Sequence, residues 1–330
     1  MALAILSFII AFLIVLVLIP FWIRKAKSIG LTGNDIHKNK KYAVAEAGGV
    51  IVVFSSLIGI LAYIFMNTFI IKIDIHLIEI LAIMLTFLLA GFIGFIDDIL
   101  GWKRGLKQFH KFLISIPIAI PLMALNAGTA DMVVPLFGKI DFGLLYPLLI
   151  IPIAIVFATN SFNMLAGMNG LETGNGIIIL ATLAFLIWKA GAFWASVLAL
   201  IVVFSLLAFL LFNKYPARIF PGDTLTYSIG AIIAAIAITG NAEKATFILF
   251  LPYIAEFFLK ARARFKKESF VKVQKDGSLE MLYNKIYSLT HLSLWILKKI
   301  KPSKKVYEKD IVYSLWFIEL VLAMIVIFLI

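Results

Sequence analysis

Ten stretches of about twenty predominantly apolar residues succeed one another along this 330-residue chain, and that pattern leaves few folds open. They centre on residues 3–23, 47–70, 77–96, 108–127, 142–159, 174–190, 192–212, 224–241, 245–259 and 311–330. Hydrophobic residues make up 63% of the chain and charged residues 15%, which is too little polar surface to cover a water-soluble globule. In lipid every backbone N–H and C=O must be paired within the protein, so the spans are either helices or the strands of a closed barrel. Barrel strands alternate in polarity over about ten residues, and no such alternation occurs. The sequence therefore predicts an all-α polytopic membrane protein with about ten spans. It reads as one domain over 1–330, with a long polar loop, 262–310, between spans nine and ten. The absence of cysteine excludes disulfides and thiolate-bound metal.

Charge orders the spans. Loops 24–46, 97–111, 160–173, 213–223 and 260–310 hold 26 of the 30 Lys and Arg residues, and by the positive-inside rule they face the cytoplasm. Both termini are then outside. No basic residue precedes the first span, while Arg24, Lys25 and Lys27 follow it, which is the pattern of an uncleaved first helix. The net charge of +12 is accounted for by topology and by attraction to anionic lipid headgroups, so nucleic acid is not expected as a partner. Within 262–310, Asp276-Gly277 reads as a hairpin turn, and 279–283 and 292–297 as short segments lying against the bilayer.

Three polar islands interrupt the apolar background, all on the basic side. The first is Asp97-Asp98, at the end of an apolar run and followed by Lys103, Arg104 and Lys107. Carboxylates are costly at a membrane helix end, so a pair there points to a cation, proton or phosphate site. Neighbours on a helix point about 100° apart, so the two need not serve one ligand. One can bind metal while the other pairs with Lys107 or takes a proton. The second island, Asn160–Gly170, places Asn160, Asn163 and Gly167 at i, i+3 and i+7, one helix face, and ends in the turn signal Asn169-Gly170. Asn163 can offer a carbonyl oxygen to Mg²⁺. The third, Phe220-Pro221-Gly222-Asp223-Thr224, opens a span, where Asp223 can cap the helix start and Phe220 can stack on a base. Arg262 and Arg264, after the ninth span, can clamp a diphosphate.

In this order, from Glu46-Ala47-Gly48-Gly49 to Arg264, these islands resemble the polyprenyl-phosphate N-acetylhexosamine-1-phosphate transferases of glycosyltransferase family 4. Residues 159–172, and 212–216 leading to 220–224, resemble the eukaryotic and archaeal UDP-GlcNAc:dolichyl-phosphate branch. The bacterial MurNAc-pentapeptide branch has a histidine cluster in the last loop, where this chain has only His291; Arg262-Ala263-Arg264 stands where the eukaryotic enzymes have Arg-His-Arg. The resemblance implies transfer of GlcNAc-1-phosphate from UDP-GlcNAc to a polyprenyl or dolichyl phosphate with release of UMP, the first step of lipid-linked oligosaccharide assembly for N-glycosylation. It implies Asn163 and Asp223 as ligands of Mg²⁺ (Mn²⁺ substituting), and Asp97 and Asp98 as the acidic pair beside the acceptor phosphate, with Asp97 helping to deprotonate it. Lys107, Arg262 and Arg264 become phosphate contacts, Asn169 and Phe220 the uracil site, and Glu46 an acidic residue of the first loop. It further implies a site at the cytoplasmic surface of an archaeal cell membrane (of the endoplasmic reticulum in a eukaryote), and homodimers occur in the family. Two alternatives stand beside it: the same reaction on another UDP-N-acetylhexosamine, and an ion-coupled secondary transporter. The transporter would place its acids at mid-membrane, whereas here they cluster at span ends on one face.

Overall fold

The computed structural model describes residues 2–38, 43–73, 76–100, 108–134 and 138–329. Its thirteen described α-helices are α1 (Ala2–Ser28), α2 (Gly49–Phe65), α3 (Leu77–Leu100), α4 (Gln108–Ser115), α5 (Ile120–Ala124), α6 (Ile151–Met164), α7 (Leu171–Lys189), α8 (Phe193–Asn213), α9 (Gly222–Thr239), α10 (Glu243–Leu249), α11 (Leu251–Arg262), α12 (Leu289–Ile300) and α13 (Glu308–Leu329). Three two-stranded antiparallel hairpins punctuate them: β1 (Thr32–Asn34) with β2 (Ala43–Ala45), β3 (Asp131–Val134) with β4 (Gly138–Asp141), and β5 (Lys272–Val273) with β6 (Leu279–Glu280). The last turns at Gly277, whose φ of 81° suits glycine, as Asp276-Gly277 predicted.

Among the described residues, eight helices are long and apolar enough to cross a membrane. The two remaining regions where the sequence predicts spans hold shorter, interrupted helices. Residues 108–124 are split where Pro117 and Pro121 remove backbone donors, and 243–262 are split before Pro252. Single hydropathy windows join such pieces because the side chains on both sides of each break remain apolar.

The spans sort by what they face. On α1, Ala4, Phe8, Ala11, Val15 and Ile19 form a buried stripe at helical spacing, while Ile5, Ile9, Leu13, Val17 and Phe21 stay exposed, as lipid-facing residues do. Helix α9 is the central post: 83% of its span is buried. Because lipid tails are as apolar as leucine, close backbone approach has to replace hydrophobic segregation as the adhesive, and small residues allow it. A Cβ on Gly94 of α3 would strike the backbone of Asp223 and Thr224; one on Gly49 of α2 would strike Leu225, and one on Gly230 of α9 would strike Ala158 and Thr159 of α6. The N-terminal turn of α9 is thereby drawn tight against α2 and α3.

The first basic loop is knitted to this same point. Ala45 bridges to Ile219, Phe220 N donates to Ala45 O at 2.8 Å, and Gly48 N and Gly49 N donate to the carbonyls of Phe220 and Pro221, each at 2.9 Å. The polar stretch after α11 is anchored by buried Glu256, whose carboxylate accepts from Leu289 N at 2.7 Å and from Ser288 Oγ at 3.1 Å. Helix α12, which includes the predicted amphipathic segment 292–297, then leads to α13. This last helix seats Trp316 against α7 at Gly174, its indole donating to Leu171 O at 3.3 Å.

Candidate active site

Four helix ends meet on the basic face. Gly94 lets α3 approach α9, so Asp98, one helical turn further on, reaches over the end of α9. Its carboxylate accepts from Asp223 N at 2.6 Å, Thr224 N at 3.0 Å and Thr224 Oγ1 at 2.5 Å. Early helix N–H groups have no intrahelical acceptor, and an anion there also meets the favourable end of the helix dipole. The expected cap, Asp223, is thus not the cap: it sits inside the first turn of α9, and a neighbouring helix supplies the capping charge. Gly222, at φ 72°, has no room for a side chain because a Cβ would collide with the Asp98 carboxylate.

Freed from capping, the Asp223 side chain turns to the centre of the site. Lys111 of α4 contacts Asp223 Oδ2 at 2.5 Å and Asp97 Oδ2 at 2.6 Å, and Asn163 Nδ2 donates to the same Asp223 oxygen at 3.3 Å. Asn163 Oδ1 accepts from Thr226 Oγ1 at 3.0 Å, so its NH₂ rather than its oxygen faces Asp223. Asp97 and Asp98 therefore part, one to a cation and the other to the α9 backbone. Two carboxylates on one ammonium leave local negative charge in a half-buried setting, and oxygen donors of this kind suit a hard divalent cation. Lys111 stands where positive charge is needed.

Lys107 lies outside the described residues. Lys111 follows it by four positions in the sequence, a spacing that returns to one side of a helix, and that was the signal by which it could have been found. The expected face Asn160–Asn163–Gly167 does not form, because α6 ends at Met164 and Gly167 sits beyond it at φ 104°. Asn160 is packing rather than site: its amide donates to Ser115 Oγ at 2.9 Å and to Val156 O at 2.8 Å. Gly170, at φ 86°, makes the turn into α7, and Glu172 closes that turn by accepting from Gly167 N at 2.5 Å.

Two further surfaces flank the carboxylates. Glu46, after β2, is half-buried, and burial, with the nearby Asp223 charge, pushes its carboxyl above the usual range. A Cβ on Gly33 would meet both the Glu46 carboxylate and the Phe220 ring, so these groups share one wall. Asn169 is buried, its side chain on Asp35 and its backbone on Glu308. Arg262 is exposed, packs over the Tyr287 ring and donates to Ile286 O. Among the described contacts neither Arg262 nor Arg264 touches the carboxylates. Buried Asp35, His37 and Glu308 form a cluster that was not read from the sequence; its signal there is the run Asp35-Ile36-His37-Lys38 in the first basic loop. Burial lowers the His37 imidazole to about 4, so it is neutral at pH 7.

The model of the family described as Glycosyl transferase family 4 matches residues 80–241, which hold Asp97, Asp98, Lys111, Asn163, Asn169 and Asp223. A Saccharolobus solfataricus protein, provisionally named a UDP-N-acetylglucosamine–dolichyl-phosphate N-acetylglucosaminephosphotransferase, is 38% identical over 98% of this chain and 96% of its own length. The chain belongs to glycosyl transferase family 4. A Dictyostelium discoideum protein named for the same phosphotransferase is 28% identical over 73% of this chain and 67% of its own. A phospho-N-acetylmuramoyl-pentapeptide-transferase of Halalkalibacterium halodurans is 31% identical over 72% and 74%. The full-length archaeal match extends the kinship of this family 4 chain past the core region to the first basic loop and the last helix, where Asp35, Glu46 and Glu308 lie.

Proposed function

We propose that this chain transfers GlcNAc-1-phosphate from UDP-GlcNAc to a dolichyl or other polyprenyl phosphate, releasing UMP, on the cytoplasmic side of an archaeal cell membrane. The observation that carries the reading is the convergence of Asp97 and Asp223 on a single ammonium, with Asn163 against Asp223, at the mouth of membrane helices. A lipid-phosphate acceptor and a water-soluble donor can meet only at such a boundary. The names of the archaeal and Dictyostelium relatives supply the donor and acceptor class, and the excess of Lys and Arg on this face supports its cytoplasmic orientation.

In this reading Asp223 and Asn163, its amide turned so that Oδ1 rather than Nδ2 faces Asp223, would hold Mg²⁺, with Mn²⁺ able to substitute. Held there, the ion would supply charge withdrawal from the diphosphate and stabilisation of the UMP leaving group. An acceptor phosphate oxygen attacks the β-phosphorus, and the bond to the bridging oxygen of UMP breaks. Asp97 receives the proton of the acceptor phosphate. Lys111 offsets repulsion between the two anionic substrates, and Asp98 keeps α9 and Asp223 in place. Phe220 and Asn169 hold the uracil ring, and the exposed Arg262 and Arg264 reach the diphosphate from the loop.

The test is purified protein in detergent with dolichyl phosphate, Mg²⁺ and radiolabelled UDP-GlcNAc, with and without EDTA. Labelled lipid appearing with UMP, abolished by EDTA and restored by Mg²⁺, supports the proposal. Folded protein that transfers from UDP-MurNAc-pentapeptide or another UDP-N-acetylhexosamine, but not from UDP-GlcNAc, overturns the donor assignment. Failure with every donor and acceptor overturns the reaction.

A further inference from the structure

The Asp35 cluster is compact enough to suggest a cation site, since one ligand atom each from Asp35, His37 and Glu308 lies within 4.8 Å of the others. Its contacts argue for another role. Lys38 already brings a positive charge to Asp35 Oδ2 at 2.7 Å. The remaining bonds converge on one residue from two distant parts of the chain: Asn169 N donates to Glu308 Oε1 at 2.7 Å, and Asn169 Nδ2 donates to Asp35 Oδ2 at 3.0 Å. Asp35, Asn169 and Glu308 are each at least 95% buried. Asp35 is itself held by the first-loop backbone, its Oδ1 accepting from His37 N at 3.1 Å.

A carboxylate only accepts, so the Asp35 contact decides which way the Asn169 amide faces. Nδ2 must point at Asp35, and Oδ1 is left to face away from it as an acceptor. The location of that acceptor matters. Gly33, two residues before Asp35, lies against Phe220 and Glu46, so the segment 33–35 runs from the aromatic wall to the amide.

We infer that Asp35 is a positioning residue that locks the Asn169 amide so that Oδ1 accepts from the imide N–H of the donor's base, which selects uracil over cytosine. The inference rests on the proposed placement of the uracil ring at Phe220 and Asn169. Uracil presents N3–H at that edge, whereas cytosine presents a bare N3 acceptor, which a locked amide oxygen repels. Glu308 holds the backbone of the same residue from the last membrane helix, so the turn carrying the amide cannot drift.

The experiment measures dissociation constants of UMP and CMP by calorimetry, in the presence of Mg²⁺, for wild type, Asp35→Asn, and the exchanged pair Asp35→Asn with Asn169→Asp. A structural defect weakens both nucleotides together, whereas a freed amide changes their ratio. In Asp35→Asn the introduced carboxamide can present oxygen or nitrogen to Asn169, and the UMP-over-CMP preference is expected to fall at least tenfold. In the exchanged pair the carboxamide now at position 35 donates to the carboxylate now at position 169, whose other oxygen still faces the base, so most of the preference returns. An unchanged ratio in Asp35→Asn overturns the inference. If that variant does not fold, Asp35→Ser decides, because a hydroxyl can donate or accept and so frees the Asn169 amide: a lowered UMP-over-CMP preference supports the lock, and an unchanged preference refutes it. Wild type that binds neither nucleotide refutes the uridine site itself, and wild type that binds both equally refutes selection by the amide.

Discussion

The link between Asp98 and α9 makes a quantitative demand. Asp98→Asn keeps the shape but removes the charge, and it places an NH₂ group among three donors, two backbone N–H groups and the Thr224 hydroxyl. Hydrogen bonds to a charged acceptor contribute about 1.5–3 kcal/mol each, and a carboxylate at a helix N-terminus adds roughly 0.3–1 kcal/mol. The amide retains one acceptor oxygen, so one or two of the three bonds are lost, about 3–5 kcal/mol in all. Expressed as displacement of Asp223, this lowers transfer by about 10²- to 10⁴-fold. Thr224→Val removes one donor of the same set and costs about tenfold to a hundredfold. The two substitutions break a shared interaction, so the double variant is expected to be within about threefold of Asp98→Asn alone. The assay is initial rate of labelled-lipid formation at saturating Mg²⁺, with melting in detergent as the control for folding. If the two losses multiply, Asp98 acts independently of Thr224 and the capping argument fails. If Asp98→Asn transfers at the wild-type rate, the carboxylate holds nothing that matters.

Other expectations follow from the same geometry. Lys111→Met leaves Asp97 and Asp223 without their shared ammonium and should lower kcat at least about a hundredfold with the helices intact by circular dichroism; a rate within about threefold of wild type would remove Lys111 from the site. Gly94→Ala forces a methyl into the α9 backbone at Asp223 and Thr224, a strain of about 1–3 kcal/mol. The expected result is a melting temperature below wild type and roughly a tenfold drop in transfer, and unchanged values for both would show that α3 and α9 are not tightly apposed. His37 is neutral in the folded protein down to about pH 4 and titrates near 6.5 when unfolded. Below about pH 6.5 the unfolded chain therefore binds a proton that the native one does not, and stability falls by about 3 kcal/mol as the pH drops to 4. Denaturation midpoints measured across that window should show the decline in wild type and a flatter profile in His37→Asn; identical profiles would mean that His37 is accessible.

Where the sequence was legible, one side chain or a local period carried the information. The lipid-facing spans announce themselves by unbroken hydropathy because their environment demands it of every residue, as on α1. The acidic pair and the asparagine- and glycine-rich islands stand out because a polar residue at a membrane helix end needs a reason to be there. Even the hairpin at Asp276-Gly277 is a local matter of backbone conformation. What failed was of a different kind. The broken helices at Pro117, Pro121 and Pro252 remain apolar on both sides, so hydropathy alone does not register the interruption.

The sequence is silent where a role belongs to a contact between distant segments. Asp223 at the start of a helix has every local qualification as its own cap, and nothing within the segment reveals that Asp98, 125 positions earlier, has taken that role. The displacement is also what frees Asp223 to face Lys111. The same holds for Asp35, which reads locally as a loop acid and acquires meaning only through its bond to Asn169, 134 positions away. In both cases a carboxylate's chemistry as a pure acceptor does the ordering: one orients a helix end, the other a single amide. Glycine supplies the proximity for the first, at Gly94 and Gly222, and the hairpin β1–β2 supplies it for the second. Helix ends and loops around α9 are thereby organised by a few negative charges whose partners are mostly backbone and amide N–H groups. Such an arrangement leaves the Asp223 side chain, with Asp97, to meet Lys111 at the centre of the site.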